Sequence, residues 1–131
     1  MRFPLHAPVL PLRLEGVHIL VVEDHEDTRS ALSKLLARFG YNVAAAENCH
    51  EALLLLDNLR FDVVVSDIGL PDGDGFELIG EAKRRQPLTR TVALTALAAE
   101  EDRERGRLAG FDHYLTKPLE FEKLRGLLSA A

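Results

Sequence analysis

The stretch Asp62-Val63-Val64-Val65-Ser66-Asp67, continuing Ile68-Gly69-Leu70-Pro71-Asp72-Gly73-Asp74-Gly75-Phe76, decides the fold. Its first part is a short apolar run with little alternation, the pattern of a strand covered on both faces in a parallel sheet. The run stops at a carboxylate, Asp67, and a carboxylate at the end of a buried strand needs solvent, a donor or a cation. Asp72–Gly75 carries turn chemistry and a helix start, with Asp74 placed to cap a third helix over about Phe76–Gln86 that ends before Pro87.

Outward from this stretch the same two patterns alternate. Val17–Val22, Asn42–Ala46, Thr91–Thr95 and His113–Thr116 are further short apolar runs. Between them, Leu32, Leu35, Leu36 and Phe39 fall at helical spacing, with Gly40 as a C-terminal stop. Ala52, Leu55, Leu56 and Leu59 repeat the spacing behind Asn48 and Glu51, which resemble a capping box. Phe121, Leu124, Leu127 and Leu128 mark the last helix. Five strand–helix units in strict order predict an α/β domain, a doubly wound five-stranded parallel sheet with five helices. Ligands of such sheets bind outside the carboxyl ends of the strands.

Composition agrees. The chain has 131 residues, 47% hydrophobic and 28% charged, which fits one globular domain with a core large enough to need no staple. The single cysteine, Cys49, excludes an internal disulfide and a cysteine-based zinc site. No apolar run approaches the ~18 residues of a membrane span, which predicts no membrane insertion and a cytoplasmic protein. The net charge of -5 speaks against direct nucleic-acid binding. Residues 1–16, broken by Pro4, Pro8 and Pro11, read as a leader or linker without a secretory cleavage pattern, and residues 17–131 as the domain.

The polar residues at strand ends supply the chemistry. Glu23 and Asp24 follow the first strand, Asp67 the third and Lys117 the fifth, while Thr95 ends the fourth, so all five gather at one sheet edge. Crowded carboxylates are reconciled by a hard cation, and Mg²⁺ takes one or two carboxylates while keeping several waters. The set suits phosphoryl transfer to Asp67, an ionised carboxylate that needs no general base. Mg²⁺ would neutralise charge on the transferring group, with Lys117 and Thr95 donating to its oxygens. Other constellations fail. Leu70–Glu81 resembles a calcium loop but has leucine where the first ligand belongs. His25 reads as a solvated loop residue, His50 and His113 lack ligand partners, and no glycine-rich phosphate loop follows a strand.

Val-Val-Glu23-Asp24, Ser-Asp67-Ile-Gly-Leu-Pro-Asp-Gly-Asp-Gly-Phe-Glu-Leu, Leu-Thr95-Ala and Tyr114-Leu-Thr-Lys117-Pro118 together resemble the receiver domain of two-component phosphorelay response regulators. The resemblance runs from about Val17 to the end and implies a flavodoxin-like (βα)5 fold. It implies a signalling domain, not an enzyme on other substrates, that takes a phosphoryl group onto Asp67. Asp24 and Asp67 would ligate Mg²⁺ directly, Glu23 through water, and the Gly69 carbonyl would be a further ligand. Thr95 and Tyr114 match the family's switch pair, and the Lys117–Pro118 bond is expected to be cis. The partners implied are a histidine kinase or histidine phosphotransfer protein and a downstream target that the sequence does not name. The approach Leu12–Gly16 also resembles the lead into the receiver of a hybrid sensor kinase.

Two alternatives stand beside this reading. An aspartyl-nucleophile phosphatase would place a second Asp where this chain has Gly69. A degenerate receiver acting only as a protein-binding module has no need of the full acid set, Thr95 and Lys117. Receivers tune phosphate loss through positions matching Gly69 and Leu97, neither of which can orient an attacking water, so slow self-dephosphorylation is expected. The expected output surface is the fourth helix with the fifth strand and fifth helix. Its segment Ala98–Leu108 offers mainly alanines and Leu108, six consecutive charged residues, and Gly106, a weak helix former.

Overall fold

A computed structural model describes residues 16–96 and 100–129. Its sheet strands are β1 (His18–Val22), β2 (Asn42–Ala46), β3 (Val63–Asp67), β6 (Arg90–Thr95) and β7 (His113–Thr116). They are all parallel, in the order β2-β1-β3-β6-β7. The helices are α1 (Glu26–Arg38), α2 (Cys49–Asn58), α3 (Gly75–Arg85), α4 (Glu100–Ala109) and α5 (Phe121–Ser129). Two-residue strands β4 (Gly69–Leu70) and β5 (Gly73–Asp74) form a small antiparallel hairpin between β3 and α3. The doubly wound five-stranded sheet with five helices is the architecture that the alternating pattern predicts.

Covering both faces explains the unalternated runs. Leu20, Val22, Val64 and Ala93 pack on one side with Ala52, Leu56, Phe76 and Ile79, beneath α2 and α3. Ile19, Val21, Val63, Val65, Val92 and Leu94 pack on the other with Leu32, Leu36, Leu124 and Leu128, beneath α1 and α5. Val64 and Val65 are both 0% exposed, so consecutive residues face opposite buried layers.

The local signals operate as physical chemistry dictates, with informative departures. Gly40 ends α1 at φ +93°, a conformation costly for any side chain. Asn48 caps α2 by accepting from the Glu51 N–H at 2.8 Å. The reciprocal bond expected of a capping box goes one residue earlier, from the Glu47 N–H to Glu51 Oε2 at 3.0 Å. Asp74 caps α3 through Phe76 N–H at 2.7 Å, so the helix begins at Gly75. Phe39 and Leu59, read as core, are C-cap residues and are exposed. Phe39 stacks on Phe121 with centroids 5.2 Å apart, and Arg125 covers its ring. In α4 the expectation reverses: Leu108 is 75% exposed and Gly106 is buried. Leu97, Ala98 and the leader up to residue 15 lie outside the described residues.

Candidate functional site

The sheet register assembles the site. Val22 pairs with Ser66, Asp67 with Leu94, and Thr95 with Thr116, so the residues after each rung stand side by side at the carboxyl edge. Asp67 is itself the last residue of β3 rather than the residue after it, held there by its pairing with Leu94. Glu23 continues β1 by donating its N–H to Ala46 O at 3.0 Å, and Lys117 donates its N–H to Thr95 O at 2.7 Å. The Lys117–Pro118 peptide is cis, matching the expectation.

Lys117 joins two of the acids across 94 and 50 positions of chain. Its Nζ donates to Glu23 Oε1 at 2.9 Å and to Asp67 Oδ2 at 2.9 Å. Asp67 Oδ1 accepts from the Gly69 N–H at 3.3 Å. Glu23 is 1% exposed, and its second oxygen, Oε2, is buried with no hydrogen-bond partner. Burial pushes the Glu23 carboxyl up; the hydrogen bond from Lys117 opposes this, and the neighbouring Asp67 charge adds to it. Burial draws Lys117 down, but its bonds to Glu23 and Asp67 outweigh that and hold the ammonium above the usual lysine range. Asp24 points to more open surroundings, its side chain 39% exposed and 3.9 Å from His25 Nδ1. One oxygen each from Glu23 and Asp24 and one ring nitrogen of His25 lie within 4.8 Å of one another. Thr95 is 3% exposed at the end of β6, and Tyr114 is half-buried on β7 opposite Ala93.

The other candidates fall elsewhere. The calcium-loop carboxylates are engaged in structure: Asp72 accepts from Cys49 N–H at 2.7 Å and His50 N–H at 3.0 Å, and Asp74 caps α3. His50 is exposed at the start of α2, and His113 pairs with Val92 inside the sheet. One residue that sequence reasoning passed over is Arg29. Its Nη1 donates to the carbonyls of Glu23 at 2.9 Å and Asp24 at 3.3 Å, pinning the backbone of the acid pair. The available signal was a cation one helical turn beyond the acids.

This edge and this fold are those of a known family. Residues 19–129 match the response regulator receiver domain, and the chain belongs to that family. It is 46% identical over 110 residues to a 14.6 kDa protein of the sodA1 3' region of Leptolyngbya boryana, covering 82% of this chain and 83% of that one. It is 37% identical over 118 residues to the transcriptional regulatory protein TcrA of Mycobacterium tuberculosis, covering 90% of this chain but 47% of that one. The chain thus spans about half the length of that regulator. A response regulator of Burkholderia pseudomallei, solved with a phosphorylated aspartic acid, a calcium ion and citrate, superposes with a TM-score of 0.81 at 32% identity. That match covers 85% of this chain and 65% of the other. Membership implies phosphoryl acceptance in two-component signalling. No described helix is long and apolar enough to cross a membrane.

Proposed function

We propose that residues 17–131 form a cytoplasmic receiver unit, preceded by 1–16 as a leader or linker, that takes a phosphoryl group from the phosphohistidine of a histidine kinase or phosphotransfer protein onto Asp67. The observation that carries this reading is the Lys117 ammonium, placed 2.9 Å from both Glu23 Oε1 and Asp67 Oδ2. It marks the spot where negative charge will collect when Asp67 is phosphorylated, and fixes a cation there beforehand. Asp67 attacks phosphorus through a carboxylate oxygen, the bond to the donor imidazole breaks, and the imidazole leaves with its electron pair. Lys117 follows the charge onto the phosphoryl oxygens, and the Thr95 hydroxyl donates to another. The Asp67 Oδ1 bond to Gly69 N–H holds the carboxylate during the attack.

The residues present fit a divalent cation. Glu23, Asp24 and Asp67 outnumber the single ammonium of Lys117, and the partnerless Glu23 Oε2 is a buried acceptor awaiting a donor or a cation-bound water. Asp24, Asp67 and the Gly69 carbonyl would hold Mg²⁺, with Glu23 acting through water. When bound, the ion neutralises charge on the transferring phosphoryl group. The Burkholderia relative, with its phosphorylated aspartic acid and calcium ion, supports the same assignment here.

The test is intact-mass measurement after treatment with acetyl phosphate and Mg²⁺. Wild type is expected to gain one phosphoryl group and Asp67→Asn none; undiminished incorporation in the variant would overturn the assignment. The same experiment distinguishes a binding module, which gains nothing, from a phosphatase, which turns the donor over.

A second expectation concerns phosphate lifetime. Gly69 is exposed, and nothing lies within 4 Å of where its Cβ would stand. Gly69→Asn therefore adds an amide beside Asp67 without a clash, and one able to orient water. Faster loss of phosphate than in wild type, followed by mass after donor removal, is the expected result. The proposed output surface is the α4–β7–α5 face, through Thr95 and Tyr114.

A further inference from the structure

The loop after Asp67 reaches helix α4 by a route that bypasses Thr95. It begins at Gly75, the first residue of α3. The Gly75 N–H donates to Ile68 O at 2.8 Å, and a Cβ there would stand 2.6 Å from Asp67 O. The start of α3 is therefore set by the backbone of Asp67 and Ile68. The preceding residue, Asp74, faces both ways. Its Oδ1 caps α3, and its Oδ2 accepts from Arg105 Nη2 on α4 at 2.7 Å. The same guanidinium lies 4.4 Å from the centroid of Phe76, giving Arg105 a carboxylate and a ring on successive parts of α3.

The next residue of α4 faces the β7 tyrosine. Gly106 is buried, and a Cβ on it would stand 2.9 and 3.3 Å from two ring carbons of Tyr114 and 3.4 Å from Phe76 Cε1. The missing side chain is what lets the Tyr114 ring lie against the helix. Consecutive residues of α4 thus touch the cap residue Asp74 and the β7 tyrosine, and both lie against Phe76. Among the described side chains of the helix, Leu108 is exposed, Glu104 and Arg107 pair with each other along the surface, and Ala109 packs against the core.

We propose that Asp74 and Arg105 form a clasp that holds α4 in its unphosphorylated position, with Tyr114 seated on Gly106. This rests on Asp67 being the phosphoacceptor. In the unmodified protein the Asp67 carboxylate is held by Gly69 N–H and Lys117. A phosphoryl group on Asp67 takes over Lys117, and the loop from Ile68 to Asp74 resettles around it. Because Gly75 abuts the Asp67 backbone with no slack, Asp74 moves with that loop and withdraws the acceptor from Arg105. A ligand of the active site acts on α4 only through its different affinity for the clasped and unclasped states. Arg105 and Asp74 are positioning residues and touch no reacting atom.

The experiment measures the affinity of the full chain for beryllofluoride with saturating Mg²⁺, alongside amide hydrogen exchange of α4 without it. Asp74→Asn keeps the α3 cap and removes the charge; Arg105→Ala removes the cation; Arg105→Lys keeps one. Opening the clasp raises the competent fraction, so Asp74→Asn and Arg105→Ala are expected to bind beryllofluoride about fivefold more tightly than wild type. Both are expected to exchange α4 amides faster, and the double variant to show no further gain. Arg105→Lys should stay close to wild type, which loss of packing alone would not produce. Wild-type affinity in both single variants, or additive gains in the double variant, overturns the clasp and leaves the phosphoacceptor reading intact. Failure of the wild type itself to bind beryllofluoride overturns both.

Discussion

Replacing Lys117 by methionine will leave the metal-free protein about 3 kcal/mol less stable at pH 7.5, and most of that loss will vanish as the pH falls towards 4.5. The size follows from burial. Glu23 is 1% exposed and, among the described residues, Lys117 is the donor to its side chain, so the variant strands a carboxylate in the interior. The figure sits at the low end for a broken buried pair because the lysine is 27% exposed. The pH dependence follows from the direction of the two shifts. Glu23 is already held above its ordinary 4.5 when folded, so its ionisation opposes folding as the pH climbs through the folded value. Lys117 is held above its ordinary 10.5, so its contribution is fully present below that pH and is lost only as the pH rises through the folded value. Between these limits wild type keeps its cation and the variant does not. Protonating Glu23 removes the need for one. Urea unfolding in EDTA across this range, followed by circular dichroism, makes the comparison. Adding Glu23→Gln to the variant should recover most of the stability at pH 7.5. A loss independent of pH would show that Lys117 matters through packing.

Gly75→Ala will cost about 3 kcal/mol of stability and disturb phosphoryl acceptance together. The added methyl would stand 2.6 Å from Asp67 O, 2.7 Å from Ile68 Cα and 2.9 Å from Ile68 O. All three are backbone atoms of Asp67, the proposed phosphoacceptor, and its neighbour, so no side-chain rotation relieves the clash, and either α3 or the end of β3 must shift. Gly80, on the same helix, has nothing within 4 Å of its Cβ position and is the control. Gly80→Ala should stabilise the protein by about 0.5–1 kcal/mol through helix propensity. Thermal unfolding with phosphoryl incorporation measures both arms. Equal stability in the two variants would contradict the contact geometry.

The sequence was most legible where burial imposes a pattern. Val63–Val65 reads as a strand covered on both faces, and from its neighbours the strand ends, hence the meeting of Glu23, Asp67 and Lys117, followed. Residues whose roles are set across space were less legible. Gly106 contributes nothing to an apolar stripe and read only as a weak helix former, while Leu108, the large apolar residue of the segment, points outward. The inward position belongs to glycine because a tyrosine ring from β7 occupies the space. Arg29 works through two carbonyls, groups that every residue has and no motif displays. Asp72 read as a turn residue, yet its partners are amides 22 and 23 positions earlier.

That last contact has a chemical consequence. By lodging at the start of α2, the Asp72 carboxylate also sets a negative charge beside the single thiol of the chain. Burial pushes the Cys49 thiol up to about 11, and Asp72 adds to the shift. A thiol with that pKa is ionised in only about one molecule in ten thousand at neutral pH, and thiolate is the form that attacks peroxides and disulfides. Burial at the start of α2, together with the Asp72 carboxylate of the loop after Asp67, therefore keeps the one sulfhydryl of the chain in its unreactive protonated form.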